Sequence, residues 1–341
     1  MRIGLLARAE DRGLGIQTWE WSRGMRPDET LIVDMGELGG GFPMHHGRYS
    51  SRAVVAAFDG IKFRDEQLVR GWLEQVDVAY TAETFYDTRL PHWCDDHGVR
   101  LAVHINPEFW KWQRESQAWP AMDWWTPTAW RRDTLPVSTT VVPVPVPLDR
   151  WPTAAPWRPD PVFVHVVGHR AAADRNGTSL LLAAVQRINV PFRLRLITQG
   201  DRLPLPVVAP SVHVELHTGG VEDYWRMYDD ADVLVLPRRY GGLCLPANEA
   251  AGAGLALVMT DCSPNTRWPI TGVRARQTSS LATPAGDVAL MGADVTHLVQ
   301  ILERLAVDHC ERFTQQTRAR EWAEAMSWDQ LRPTIREQLC G

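Results

Sequence analysis

Between residues 141 and 161 the chain reads VVPVPVPLDRWPTAAPWRPDP. Prolines this dense have no place inside a helix or a central strand, because each lacks the amide N–H that both ladders need and each fixes its own φ. The stretch therefore divides the chain. The expectation is an N-terminal domain over 1–147, a proline-rich linker over 148–160, a second domain over 161–320, and a helical tail over 321–341 that packs back on the first domain.

On either side of the linker the same pattern runs. Short apolar stretches alternate with segments of helical character. Before it come the strands MRIGLLAR, ETLIVDMG, VDVAYTAE and VRLAVHIN, with helices over IQTWEWSRGM and TRLPHWCDDHG. After it come VFVHVVG, FRLRLITQG, VHVELHTG, DVLVLP and LALVMTD, with helices over TSLLLAAVQRI, EDYWRMYDDA and PANEAAGAG. Continuous apolar runs, without the polar alternation of a half-exposed strand, belong to parallel sheets covered on both faces. The fold class is α/β: two Rossmann-like, doubly wound parallel-sheet domains facing a cleft, with ligands expected at the carboxyl ends of the strands.

A formal net charge of −5 over 341 residues offers no general attraction to nucleic acid or an anionic membrane. No run approaches the ~18 apolar residues of a membrane span, and the opening MRIGLLARAEDRG lacks a signal-peptide core, so no membrane insertion and a cytoplasmic location are expected. Five scattered cysteines without a CxxC argue against a disulfide framework or structural zinc. YDDAD (Asp229, Asp230, Asp232) reads as helix termination before a strand, and PHWCDDHG (His92, Cys94, His97) as a helix face, so no metal is expected at either. Six of the sixteen tryptophans fall between Trp110 and Trp130. Indole serves equally in cores and in sugar stacking, and packing with a share in an acceptor surface is the reading preferred.

Four pieces of the second domain carry a resemblance. HVVGHRAAADRNGTSLLLAA resembles a strand, Gly-Arg loop, Lys-Gly and helix; LRLITQGD a following strand ending at glycine; YDDADVLVLP a step into a strand; and GGLCLPANEAAGAGLALVMTD a Glu-Gly-Phe-Gly-Leu-Pro-x-x-Glu-Ala segment. In this order they resemble the donor half of GT-B glycosyltransferases of the retaining family-four type. The first domain is similar more loosely, through LGIQTWEW, LAVHINPEF and TTVVPVPVPL. The likeness extends to short versions carried by actinobacterial phages.

The resemblance implies roles. Glu249 would accept hydrogen bonds from the ribose hydroxyls of a nucleotide diphosphate sugar, since a carboxylate offers two acceptor oxygens to a cis-diol; by itself it is equally a helix-dipole carboxylate. Gly242, Leu243, Cys244 and Leu245, where strand gives way to helix, would present backbone amides to phosphate or sugar. Glycines there also satisfy turn geometry. Arg175 matches the family's lysine beside the leaving phosphate, while His169 falls on its arginine position with Arg170 one place later. Cations there stabilise the charge that grows as the glycosidic bond breaks. Gly15 and Gln17 follow the first strand in DRGLGIQTW, where a glycine turn would face the donor diphosphate, and His104 ends a buried strand beside the transferred sugar. Arg239, with Arg238 and Tyr240, is a further candidate contact. Glu83 and the pair His45 and His46 are weaker candidates. The chain departs from the family at Gly241, where a glutamate near the transferred sugar is usual.

The expectation is therefore a metal-independent, retaining enzyme with no cofactor beyond its nucleotide-sugar donor. Its acceptor would be a protein, a modified DNA base or a glycan. Two alternatives stay open: a non-catalytic nucleotide-sugar binder, and an NAD(P)-dependent oxidoreductase, for which Asp34 stands about where an acidic residue is wanted but the glycine spacing does not fit.

Overall fold

The computed structural model describes residues 1–39, 43–50, 52–112, 115–151, 160–168, 173–200, 203–221 and 223–341. Two compact units emerge: Met1–Val144 with Leu331–Gly341, and Pro145–Gln330. Most of the proline-rich stretch, 152–159, lies outside the described residues.

The first unit runs β1 (Ile3–Ala7), α1 (Gly13–Met25), β2 (Glu29–Asp34), β3 (Val54–Ala57), α2 (Glu66–Leu73), β4 (Val78–Ala82), α3 (Leu90–Asp96), β5 (Arg100–His104), β6 (Asp123–Thr126) and β7 (Thr140–Val141). The strands form one parallel sheet in the order β3-β2-β1-β4-β5-β6-β7. Leu331–Gly341 counts with this unit, tied by Arg100 Nη1 to the Leu339 carbonyl at 3.0 Å and by Arg332 Nε to the Gly24 carbonyl at 2.7 Å. Helix α1 begins at Gly13, so the glycines expected to form a turn lie within its first turn. Space is the reason for Gly15: a Cβ there would stand 2.0 Å from the Glu10 carbonyl oxygen.

The second unit holds β8 (Val162–Gly168), α4 (Thr178–Val185), β9 (Phe192–Thr198), β10 (Val212–Thr218), β11 (Val233–Leu236), α5 (Leu245–Gly252), β12 (Ala256–Thr260) and β13 (Ile270–Val273). A hairpin of β14 (Ala275–Leu281) and β15 (Val288–Ala293) follows, then α6 (Val295–Val307) and α7 (His309–Ala325); the last helix, α8 (Trp328–Cys340), counts mostly with the first unit, and the rest belongs to the second. Its parallel sheet is ordered β10-β9-β8-β11-β12-β13. EDYWRMYDDA, expected as a helix, is a 3-10 turn over Tyr224–Tyr228. Both tyrosines are buried beside Trp151, and Asp230 is left-handed at φ 59°, which stops propagation.

In each sheet the winding reverses beside the first strand, between β1 and β4 and between β8 and β11. Such switch points open a crevice at the carboxyl ends of the strands, where the loops part in opposite directions. No helix among the described residues is long and apolar enough to cross a membrane.

Each core contains a buried histidine. His165 in β8 is fully buried, with Nδ1 2.7 Å from the Val235 carbonyl and Nε2 2.8 Å from Thr178 Oγ1. The carbonyl can only accept, so Nδ1 carries the proton and Nε2 accepts from the threonine. Burial pushes both His165 and His104 down to about 4. The unfolded chain takes up these protons near the ordinary value of 6.5, so the stabilisation is complete above that pH and is lost as pH falls toward 4. By pH 5 each histidine should cost its unit about 2 kcal/mol relative to pH 7. Urea unfolding at the two pH values measures this, and an unchanged midpoint would refute it.

Candidate functional site

The β8–β11 switch point is bounded by the loop leading into α4 and by the loop from Pro237 into α5. These loops are fastened to each other. The Arg239 amide donates to the Arg175 carbonyl at 2.8 Å. Its guanidinium donates from Nη1 to the Ala173 carbonyl at 2.8 Å, from Nε to the Met291 carbonyl at 3.3 Å, and from Nη2 to Thr278 Oγ1 at 3.1 Å. Arg239, a candidate donor contact by sequence, is thus a staple joining the α4 loop, the α5 loop and the β14–β15 hairpin. Arg238 is likewise spent on protein: almost fully buried, it donates to the carbonyls of Gly241, at 3.0 Å, and Leu243. Asn265 Nδ2 holds the Arg238 carbonyl in turn, at 3.2 Å.

Two helix N-termini meet this edge, and their amides are differently committed. At α4 the Asp174 carboxylate accepts from the amides of Thr178 at 2.9 Å and Ser179 at 3.0 Å. The chain's own anion therefore fills that terminus. At α5 the N-cap residue Cys244 makes no side-chain cap bond, Pro246 has no N–H, and the amides of Ala247 and Asn248 both turn to the Cys244 carbonyl. Among the described residues the amides of Leu243, Cys244 and Leu245 meet no acceptor. An anion at this edge is thus drawn to α5, where amides and helix dipole are both available.

Helix α5 is set by small residues. A Cβ on Gly252 would lie 2.9 Å from Val146 Cγ1 and 3.0 Å from the Trp151 ring. Arg320 Nη1 donates to the Gly252 carbonyl at 2.6 Å, and Trp268 Nε1 to Asn248 Oδ1 at 2.8 Å. The run of alanine and glycine after Glu249 therefore serves close packing, while the glycines before it shape the loop. Glu249, 4% exposed, accepts from the Tyr228 hydroxyl at its Oε2, 2.5 Å away. Burial, with Glu249 adding to it, pushes the Tyr228 phenol well above its ordinary value. The sequence reading missed Tyr228 as a site residue, although it opens the quoted YDDADVLVLP.

Arg175 is half-buried in the α4 loop, after two left-handed residues, Ala173 at φ 65° and Asp174 at φ 49°. His169 and Arg170 lie outside the described residues. Gly241 has φ 118°, a conformation L side chains rarely adopt. The loop geometry thus disfavours the glutamate usual in the similar family.

In the first unit Gln17 and His104 turn inward. His104 is 4% exposed, its ring edge-on to Tyr80 and Trp125, with Nδ1 3.0 Å from Tyr80 Oη. Gln17, also buried, hydrogen-bonds the same phenol. His45 Nε2 lies 2.7 Å from Asp11 Oδ2, and Arg48 holds the other oxygen of that carboxylate. The tryptophan cluster packs as core: Phe85 stacks on Trp112 at 4.8 Å, and Trp110, fully buried, meets Trp124 edge-on at 5.0 Å. Among the described residues no group of three His, Cys, Asp or Glu is arranged to hold a metal ion.

Residues 161–300 match the family model for glycosyl transferases group 1. The β8–β11 edge and α5 thus lie within the residues that match this model. Over the whole chain the fold is similar to HepE of Anabaena with UDP and glucose, at TM-score 0.66 and 11% identity, covering 100% of this chain and 99% of that one. It is similar also to sucrose-phosphate synthase of Thermosynechococcus elongatus (0.64, 13%, covering 99% and 98%) and to the lipopolysaccharide outer core galactosyltransferase WaaB (0.58, 14%, covering 99% and 100%). At these identities the likeness is one of fold, two parallel-sheet units of the GT-B glycosyltransferase type. No curated protein sequence matches the chain.

Proposed function

We propose that the chain transfers a sugar from a nucleotide diphosphate sugar, with uridine as the first nucleoside to test, to an acceptor hydroxyl, retaining configuration and needing no metal. One observation carries the reading: a buried, oriented carboxylate, Glu249, stands one turn beyond the open amides of Leu243, Cys244 and Leu245 at the start of α5. A cis-diol wants the carboxylate and a diphosphate wants the amides, and a nucleoside diphosphate supplies both. Support for uridine comes from HepE, whose structure contains UDP and glucose.

In this reading the diphosphate lies over the first turn of α5, with Arg175 taking the charge that develops on the leaving oxygen. The acceptor hydroxyl attacks from the face the diphosphate leaves, and the departing phosphate accepts its proton, so no side-chain base is required. Retention and metal independence rest on the family resemblance, as does a phage setting with a protein or modified DNA base as acceptor, while a cytoplasmic location rests on the composition of the chain. Gly241 favours a second reading, a donor binder without transfer; release of free sugar from the donor would argue against it.

Replacing Glu249 removes both ribose acceptors. The Glu249→Ala protein should bind UDP about 10- to 100-fold more weakly by calorimetry, the worth of hydrogen bonds to a charged group. Unchanged affinity would remove Glu249 from the nucleotide site.

A further inference from the structure

We propose that Tyr228 is the positioning residue for the ribose-binding carboxylate, and that the preference for a ribonucleoside over a 2′-deoxyribonucleoside diphosphate runs through its bond to Glu249. The inference rests on the donor reading of the site and deepens it. A carboxylate on a helix can rotate about its last torsion, and a cis-diol is read only when both oxygens are held in one plane. Here one oxygen is held: Tyr228 Oη donates to Oε2 at 2.5 Å, within the range of a hydroxyl donating to an ionised carboxylate.

The donor is itself fixed. Tyr228 closes the Tyr224–Tyr228 turn, its ring edge-on to Trp151 with centroids 5.9 Å apart. Trp151 Nε1 donates to the Trp225 carbonyl at 3.1 Å, and the same indole rests against α5 where Gly252 makes room. Tyr228 and Glu249 are therefore referenced to one indole, so the phenol cannot shift without moving the helix that carries the carboxylate. A tyrosine needed only to fill space could be phenylalanine. The hydroxyl here is buried and aimed at the one acid of α5.

The test uses the full chain and calorimetry with UDP, GDP and their 2′-deoxy counterparts. Wild type should prefer the tighter-binding ribonucleotide over its deoxy form by about tenfold or more. Tyr228→Phe should weaken that ribonucleotide about tenfold and bring the ratio toward one. In a Glu249→Gln background it should have no further effect, because the partner through which it acts is gone. Glu249→Asp, which withdraws the carboxylate from an intact phenol, should lower the ratio likewise, and it decides the matter should Tyr228→Phe lose its cooperative melt.

A Tyr228→Phe protein with wild-type affinity and ratio overturns the proposal. So does an equal loss in the Glu249→Gln background, which marks a merely structural role, or a wild-type ratio in Glu249→Asp. The donor reading fails separately, and the proposal with it, if neither UDP nor GDP binds wild type below about 1 mM, or if Glu249→Gln alone changes neither affinity nor ratio.

Discussion

Arg175→Ala should lower turnover of a UDP-sugar by about 100- to 1,000-fold, the usual cost of removing one donor to developing negative charge. The melting temperature should stay close to that of the wild type, because the bond from the Arg239 amide to the Arg175 carbonyl survives the replacement. Affinity for the intact UDP-sugar should fall much less than turnover, since the leaving oxygen gains its charge only as the glycosidic bond breaks. Arg175→Lys should recover part of the loss by restoring the charge without the forked donor set. Steady-state kinetics with the donor alone, scoring hydrolysis, avoids the need to know the acceptor. Turnover within a few-fold of wild type would take Arg175 out of the reaction.

Gly177→Ala should be the most damaging single methyl at this edge. Gly177 has φ 73°, and a Cβ there would stand 2.1 Å from the Pro237 carbonyl oxygen and 2.7 Å from its carbon, backbone atoms with little room to yield. Strain at positive φ and overpacking each cost roughly 1–3 kcal/mol, about 2–6 kcal/mol together. In a unit of this size that is a fall in melting temperature of about 10 °C. The α4 and α5 loops would be forced apart, so UDP affinity should fall with stability. A melt within 2 °C of wild type would mean the loops adjust freely, and the argument for a fixed donor edge would go with it.

Much of the fold was legible because the signal is local. Apolar runs such as Val233–Leu236 and Ala256–Thr260 are buried along their length, and Val162–Gly168 up to its last residue, as covered parallel strands must be. Less local features were misread or unread. The Tyr224–Tyr228 turn has helical composition, but its tyrosines are recruited inward by Trp151, far from it in sequence. The β14–β15 hairpin, built on RQTSS and ALMGA, lacks the apolar alternation that marks a strand.

The same division runs through the candidate site. Sequence order alone determined that the second unit is an α/β domain with Glu249 in a helix behind a glycine-rich loop and Arg175 ahead of α4, because strand period, helix period and motif spacing are properties of neighbouring residues. Only the tertiary structure decided how the polar groups are spent. Asp174 fills the α4 terminus and leaves α5 open, Arg239 binds three segments as far away as Met291, and Tyr228 aims the acid 21 residues on. Each hydrogen-bonding group can be used only once or twice, and which partner claims it depends on what the folded chain brings within about 3 Å.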